Sequence, residues 1–381
     1  MITLKQTRLA CMATVTGLVS LTACTSHTAE PTNTALSAST TSANSKTSSA
    51  HKTPGQVFDL SKWNLTIPLD LDQSGNADTI SAKDLASYQI ANYFYLDDNQ
   101  HMVFASPNKA ITTPNSTNTR SELRQVFDED TDDKVGERNP KSYFALASHP
   151  QAEQFASVGA RMEASLKVNH VSLNAKYADK PPAYSVVVGQ IHAGKLDEIK
   201  EEGSGFGWGN EPLKIYYKKF PHHATGSVFW NYERNLVKDD PNRIDIDYPV
   251  WGHGWESDED PGAKGIALGE EFSYIVNVYG DTMYLEFSSE NHPTVKHKIN
   301  LANNQDANGD IDQYDHPQGY LKDWLFFKAG AYNQCSTKDA PSFRYPACPG
   351  TGDWQTDKAD GNYTSVTFSH LQLSAPKAMT E

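Results

Sequence analysis

The chain has 381 residues and a formal net charge of -14, with 38% hydrophobic, 21% charged and 10% aromatic residues. That length accommodates one large domain or two small ones. Beyond the N-terminus no apolar run is long enough to span a bilayer, which excludes a multi-span helical membrane protein.

In chain order, the first feature is a targeting segment. Lys5 and Arg8 form a basic start, and an apolar stretch follows that ends "GLVSLTAC". This is the pattern of a secretory signal. "LTAC", Leu21 to Cys24, also resembles a bacterial lipobox, in which the Cys becomes the lipidated first residue. The alternative is plain cleavage with Cys24 incidental. Thr25 stands where an aspartate would suggest inner-membrane retention, so the expected address is the outer membrane of a Gram-negative bacterium, or secretion. Residues 25–54 follow as a tether. About half are Ser or Thr, and such a stretch buries too little apolar surface to offset its ordering entropy. The expected organisation is therefore a leader over 1–24, a tether over 25–54 and one folded domain over 55–381.

From Val57 onward there is no second linker and no internal repeat. Short β-type runs alternate with Gly, Pro, Asn and Asp: 183–193, 213–220, 226–233, 272–287, 323–334 and 363–374. "VYGDTMYL" reads as a hairpin turning at Gly280-Asp281. "SAKDLASYQI" (81–90) is the one short helix candidate. The acidic, turn-rich stretches near 235–268 and 303–319 read as loops. The sum predicts an all-β fold, a jelly-roll sandwich of two curved antiparallel sheets. "DANGDIDQYD" (306–315) has a superficial calcium-loop look, but its Gly is misplaced and no Glu follows at the right distance, so a solvated acidic turn is expected. Cys335 and Cys348 are an even pair in an exported chain and predict a disulfide, with roughly 3 kcal/mol from closing so short a loop. No second Cys pair or His pair has zinc-like spacing, so neither metal nor cofactor is expected.

Three strands carry polar faces. In "TRSELRQVFD" (119–128), Arg120, Glu122 and Arg124 fall on one face because strand side chains alternate. In "GQIHAG", Gln190 and His192 share a face and Ile191 takes the other. In "FKAGAYNQ", Lys328, Gly330, Tyr332 and Gln334 share a face opposite Phe327, Ala329 and Ala331. Core-facing strands are rarely built this way. Together these residues supply two guanidiniums, an amide, an imidazole, an ammonium and a phenol, with one carboxylate to orient the cations. Such a set suits recognition of a carboxylate and proton movement beside it. "LKIYYKKF" adds Lys214, Tyr216 and Lys218 on one face, either a further ligand stripe or an exposed basic strand.

These three segments resemble the signatures R-[ST]-E-[LV]-R, Q-[IV]-H and Y-F-K-x-G-x-Y-x-Q of alginate lyases of polysaccharide lyase family seven, in that order. "FDLSKWNLTIP" (58–68) is similar to the family's first strand, and the likeness covers about residues 56–375. Phe326 departs from the last signature, where the family usually has Tyr. The resemblance implies β-elimination on alginate. No cofactor and no nucleic-acid partner are expected, the only expected membrane link is the lipid at Cys24, and the chain is expected to act as a monomer. It implies Arg120, Gln190 and His192 as the group neutralising the uronate carboxylate, Tyr332 as general acid and, for same-side elimination, as base. His192 is then the base for guluronate. An isolated phenol, with a pKa of about 10, is a weak base at neutral pH, and Arg124 and Lys328 are the cations expected to favour the phenolate. Glu122 is expected to orient Arg120 or Arg124, with Lys328 and Gln334 in subsites alongside Lys214, Tyr216 and Lys218. Ile191 in the second signature points to guluronate-containing blocks. A hydrolase would need paired acids across the scissile bond, and the motif strands hold only Glu122. A binding module on the same sandwich could use the Arg stripe without chemistry.

Overall fold

The computed structural model describes residues 52–127, 139–194 and 209–379. The leader, Cys24 and nearly all of the tether lie outside the described residues.

Seventeen strands follow in chain order. The first eight are β1 (Trp63–Thr66), β2 (Thr79–Ile80), β3 (Phe94–Leu96), β4 (Met102–Pro107), β5 (Asn118–Gln125), β6 (Phe144–Ala145), β7 (Ser157–Val158) and β8 (Ala160–His170). Then come β9 (Ser185–Gly194), β10 (Leu213–Lys218), β11 (Ser227–Glu233), β12 (Asp245–Trp251), β13 (Glu271–Tyr279), β14 (Thr282–Ser289), β15 (His292–Asn300), β16 (Trp324–Ser336) and β17 (Tyr363–Ser374). Among the described residues the α-helices are one-turn α1 (Ala82–Leu85) and α2 (Trp354–Ala359). One sheet runs β12-β11-β10-β9-β16-β5-β1-β2 with β6 and β7 at its margin, and the other runs β15-β14-β13-β8-β17-β4-β3. Every ladder is antiparallel except β6 with β7. This is the jelly-roll sandwich that the sequence predicts.

All six predicted strand segments form strands, and Tyr279 pairs with Thr282 around a two-residue Gly280-Asp281 turn. Two expectations change. The stretch 235–268 is not all loop: β12 lies inside it, with Ile246, Tyr248 and Val250 packed on the core and Asp245 and Asp247 opposite. The 306–315 turn is only partly solvated. Asp315 is buried, accepting from the Tyr232 hydroxyl and the Asn235 amide, and Asp312 pairs with Arg234 at 2.7 Å. The carboxylates that fasten this insertion to the chain after β11 are thus already engaged by protein groups. An acidic turn also precedes β2, where Asp70, Asp72 and Asp78 accept from the backbone N–H groups of Leu71, Ser74 and Gly75.

The core lies between the sheets. From the first sheet it takes Leu65, Leu123, Val186, Val188, Ile191, Ala193, Ile215 and the Phe327, Ala329, Ala331 row; Phe104, Leu166, Phe272, Val276 and Phe368 face them from the second. In β9 the alternation breaks. Val186 and Val188 face the core, yet so do Ile191 and Ala193. The extra residue shows as a register shift: Ile215 pairs with Gly189 but Tyr216 pairs with Val187. This bulge re-aims Gln190 and His192 to the open face. Gly189 makes the fit, because a Cβ there would stand 2.6 Å from the Tyr274 hydroxyl, which itself donates to the Val188 carbonyl at 3.1 Å. Gly189→Ala is expected to cost about 1–3 kcal/mol through overpacking, read by urea denaturation, and to lower activity by rotating the bulge.

Candidate active site

The outer face of the first sheet is polar where the second sheet does not cover it. One row crosses five strands: Arg124, Lys328, Gln190, Lys214 and Asn231 are successive cross-strand partners. The neighbouring row brings Arg120 opposite Tyr332, and Tyr332 opposite Val187. The alternation that puts Leu123, Ala329 and Ile191 into the core thus delivers the charged side chains to one surface.

Glu122 is the hub of this surface. It is 2% exposed and receives Arg120 Nη1 at 3.1 Å, the Lys328 ammonium and the Gln190 amide. It pairs across the ladder with Gly330, whose φ of +147° suits glycine. A Cβ at Gly330 would meet the Ser121 carbonyl oxygen at 2.6 Å and Glu122 Cα at 2.8 Å. Burial opposes ionisation of Glu122, but Lys328 and Arg120 outweigh it and hold the carboxyl below its ordinary value. Burial draws Lys328 down to about 8, with Glu122 opposing, so the ammonium remains the main form at neutral pH. Arg120 and Lys328 carry two positive charges against one carboxylate.

Tyr332 stands beside this hub. The Arg120 guanidinium lies 4.0 Å from the centre of its ring and the Lys328 ammonium 5.8 Å from it. Its hydroxyl is 3.3 Å from Ser116 Oγ, and Ser116 also accepts from Arg120 Nη2 at 3.0 Å. The ring packs with Val187, Tyr216, Phe229 and Trp255 in an aromatic floor. Arg124, one of the two cations expected beside the phenol, is elsewhere. It donates to the Tyr143 hydroxyl at 2.7 Å and lies over the Phe326 ring at 4.4 Å. Arg120 takes that place at Tyr332, together with Lys328.

His192 completes the group. Its Nδ1 is 3.2 Å from the Ala193 carbonyl. A carbonyl can only accept, so Nδ1 carries the hydrogen and Nε2 holds the lone pair. Nε2 lies 3.6 Å from Glu211 Oε1, and about a quarter of the side chain, 26%, stays open. Burial lowers its pKa to about 4; Glu211 opposes this while Lys328 and Arg120 add to it. The ring stacks on Phe326 with centroids 5.2 Å apart. Phe326 thus supports His192 on one side and Arg124 on the other, contacts that need a ring and no hydroxyl. Gln190 Oε1 and Arg120 Nε are buried without a hydrogen-bond partner among the described residues.

The remaining expected residues are accounted for as follows. Gln334 is buried, and its amide donates to the Tyr332 carbonyl at 3.2 Å. Lys214, Tyr216 and Lys218 line the same open face but do not form an exposed basic strand. Lys214 is buried between Glu211 at 3.2 Å and Asp245 at 3.4 Å; burial opposes its charge, and Glu211 outweighs it and holds the ammonium cationic. Tyr216 stacks on Phe229 at 5.1 Å. Lys218 donates to the Trp255 carbonyl at 2.8 Å, and burial brings its pKa down to about 8. Cys335 and Cys348 form the expected disulfide, with Cα atoms 5.4 Å apart. The site also contains Ser116, Glu211 and Trp255, which lie in loops between strands and carry no periodic signal. Glu211 is the penultimate residue of a segment, "EEGSGFGWGNEP" (201–212), that reads as an acidic loop; residues 201–208 of it lie outside the described residues.

A concave, cation-rich surface holding a phenol, an imidazole and an amide around one buried carboxylate is the arrangement that the three signatures imply. Comparison with known proteins agrees. The family model described as alginate lyase matches residues 58–375. The chain belongs to this family, polysaccharide lyase family seven. It is 32% identical over 295 residues to an alginate lyase of Klebsiella pneumoniae, a match covering 76% of this chain and 86% of that protein. The crystal structure of the Klebsiella pneumoniae alginate lyase aligns with a TM-score of 0.64 at 28% identity, over 85% of this chain and 98% of that one. The exolytic PL7 alginate lyase AlyA5 from Zobellia galactanivorans aligns with a TM-score of 0.66 at 33% identity, over 86% and 99%. This alginate lyase chain therefore has its relatives' fold along nearly their full length.

Proposed function

We propose that the protein depolymerises alginate by β-elimination, with Arg120, Gln190, His192 and Tyr332 acting on one uronate unit. The observation that carries this reading is that Arg120 and Gln190 share Glu122, with the Tyr332 ring 4.0 Å from the Arg120 guanidinium and His192 two residues along β9 from Gln190. In the elimination, a base takes the proton on carbon five of the uronate, the electron pair forms a double bond between carbons four and five, and the glycosidic oxygen on carbon four leaves with a proton. The obstacle is charge, since the carbanion develops beside a carboxylate that is already negative. Arg120 and the Gln190 amide neutralise it as it becomes an enolate-like dianion. Preorganised donors of this kind are worth about 3–4 kcal/mol each, and Glu122 holds both in place before substrate arrives. Arg120 suits the task because its fork can take a carboxylate through two hydrogen bonds.

Tyr332 gives the leaving oxygen its proton, and serves as base too when the departing proton lies on the same side. In guluronate the two lie on opposite faces, and His192 Nε2 is the base. Glu211 then faces the imidazolium that forms and stabilises it, while the Nδ1 bond to the Ala193 carbonyl fixes the tautomer. Guluronate-containing blocks are the proposed preference. Ile191 supports it through the family association, acting indirectly because its side chain is buried in the core behind the site.

The test is ultraviolet absorbance of the conjugated product from guluronate-rich, mannuronate-rich and mixed blocks. A flat trace on all three, with binding retained, would favour a non-catalytic binding module. The pH dependence tests His192 separately. An incoming uronate adds negative charge beside the ring and raises its pKa. On guluronate blocks, kcat/KM, which reports the unbound enzyme, is expected to fall only below about pH 4–5. The acid limb of kcat is expected at higher pH. Because Glu211 raises the His192 value, Glu211→Gln is expected to move the kcat/KM limb to still lower pH. Coincident limbs that Glu211→Gln leaves in place would remove His192 from the role.

The proposed address is the outer membrane through lipid on Cys24, with the enzyme working as a monomer. The basic Lys5 and Arg8, the apolar run and "LTAC" support the lipid anchor. Cys24→Ser is expected to move the enzyme from the membrane to the soluble fraction; an unchanged distribution would mean plain cleavage.

A further inference from the structure

The disulfide lies at the end of β16, three residues beyond Tyr332, and it closes an arm that returns over the site. The arm's root is pinned. Ser336 N donates to the Pro346 carbonyl at 2.8 Å, Lys176 N donates to the Ala347 carbonyl at 2.7 Å, and the Lys180 ammonium donates to the carbonyls of Ala340, Phe343 and Tyr345. Between the pinned Phe343 and Tyr345, the Arg344 side chain reaches out of that root. Arg344 forms an ion pair with Asp245, and its guanidinium stands 5.8 Å from the Trp255 ring. Asp245 belongs to β12, four strands from β16 in the sheet. Between these ends lie Tyr216 and Phe229, against which Trp255 packs at 4.7 and 5.6 Å. Tyr345 is close enough to act electrostatically on Tyr332 and Lys214. The Arg344 side chain remains 38% exposed while Asp245 anchors it.

We infer that this disulfide-braced arm walls off the β12 side of the cleft and that Arg344 is a specificity-determining residue, receiving the carboxylate of the terminal sugar so that the enzyme works from chain ends. An open groove would let the polymer continue across β10, β11 and β12. Here the arm's latch to Asp245 and Trp255 stands in that path. The latch also ties the wall to the catalytic rows, because Asp245 is shared between Arg344 and Lys214, the cross-strand partner of Gln190.

The inference rests on the elimination reading, and the experiment separates the two. The full-length enzyme is given high-molecular-mass alginate, and viscosity, absorbance and product sizes are followed together at low conversion; a uronate trimer serves for kinetics. Wild type is expected to release one short product size from the first time point, with viscosity lagging behind absorbance. Arg344→Ala is expected to raise KM for the trimer about tenfold with kcat little changed, the mark of lost ground-state binding. Arg344→Lys, which keeps the charge without the fork, is expected to recover part of that. Cys335→Ser/Cys348→Ser is expected to broaden the products into a ladder. A broad ladder with early viscosity loss in wild type, or an unchanged KM in Arg344→Ala, would overturn the inference and leave elimination standing. Absence of absorbance with every block type would sink elimination, and this inference with it.

Discussion

Tyr332→Phe is expected to lower kcat on alginate by about 10²–10⁴-fold while leaving the fold and the affinity for the polymer almost unchanged. The reason is what the substitution removes. The phenol ring is held by the Arg120 guanidinium at 4.0 Å and by Val187, Tyr216, Phe229 and Trp255, contacts that a phenylalanine ring keeps. Among the described residues the hydroxyl has one hydrogen-bond partner, Ser116 Oγ at 3.3 Å, too long to matter much for stability. Arg120 keeps its bonds to Glu122 and Ser116, so the carboxylate-binding group is undisturbed. What disappears is the proton carrier at the leaving oxygen. Absorbance of the unsaturated product measures the rate, calorimetric titration with alginate measures affinity, and thermal unfolding controls for the fold. A near-normal rate would show that another group protonates the leaving oxygen. A lost rate accompanied by lost affinity would make Tyr332 a binding residue.

Much of this site could be read from residue order, because strand geometry is simple. Arg120, Glu122 and Arg124 alternate with core residues, and β5 places them on one face as expected. The same alternation reads Lys328 and Tyr332 correctly on β16. Longer-range facts were not legible. In β9, strict alternation from Val187 would aim Gly189 and Ile191 into the cleft. The bulge at Gly189 reverses this, and it exists because of a cross-sheet contact with Tyr274. Glu122 serves Arg120 as expected, but its other partners come from β16 and β9, and Arg124 instead settles on aromatic rings from a different cluster. β12 carries alternation in Ile246, Tyr248 and Val250, but its acidic setting and Pro249 make it read as loop. Glu211, Trp255 and Arg344 lie in irregular segments, where no period links sequence to direction.

Glu122→Gln is the substitution expected to damage stability most, by about 3–5 kcal/mol, with activity lost as well. The change is nearly isosteric, so the effect is one of charge. Among the described residues Glu122 is the only carboxylate bonded to both the Arg120 guanidinium and the Lys328 ammonium, and all three lie in a largely dry setting. A neutral amide leaves two buried cations facing each other. Lys328 has the easier way out, because burial has already drawn its pKa to about 8 and Glu122 is the group holding it up. Without that carboxylate it falls further, and the ammonium gives up its proton near neutral pH. Two pH signatures follow. The folded carboxyl of Glu122 is depressed, so wild type has the full contribution above about 4.5, the unfolded value, and loses it as acid carries the pH through the lower folded value. Glu122→Gln lacks that acid-sensitive part. Lys328 is also depressed when folded, so between about pH 8 and the unfolded value of 10.5 the unfolded chain binds more protons and stability rises with pH. In Glu122→Gln this rise is expected to begin below pH 8, so the variant starts to recover stability near neutral pH, before the wild-type rise sets in. Urea denaturation at several pH values between about 4 and 10 reads both effects. Equal stability of the two proteins at neutral pH would mean that the cations find compensation elsewhere, and that Glu122 is dispensable as the hub that preorganises Arg120 and Gln190.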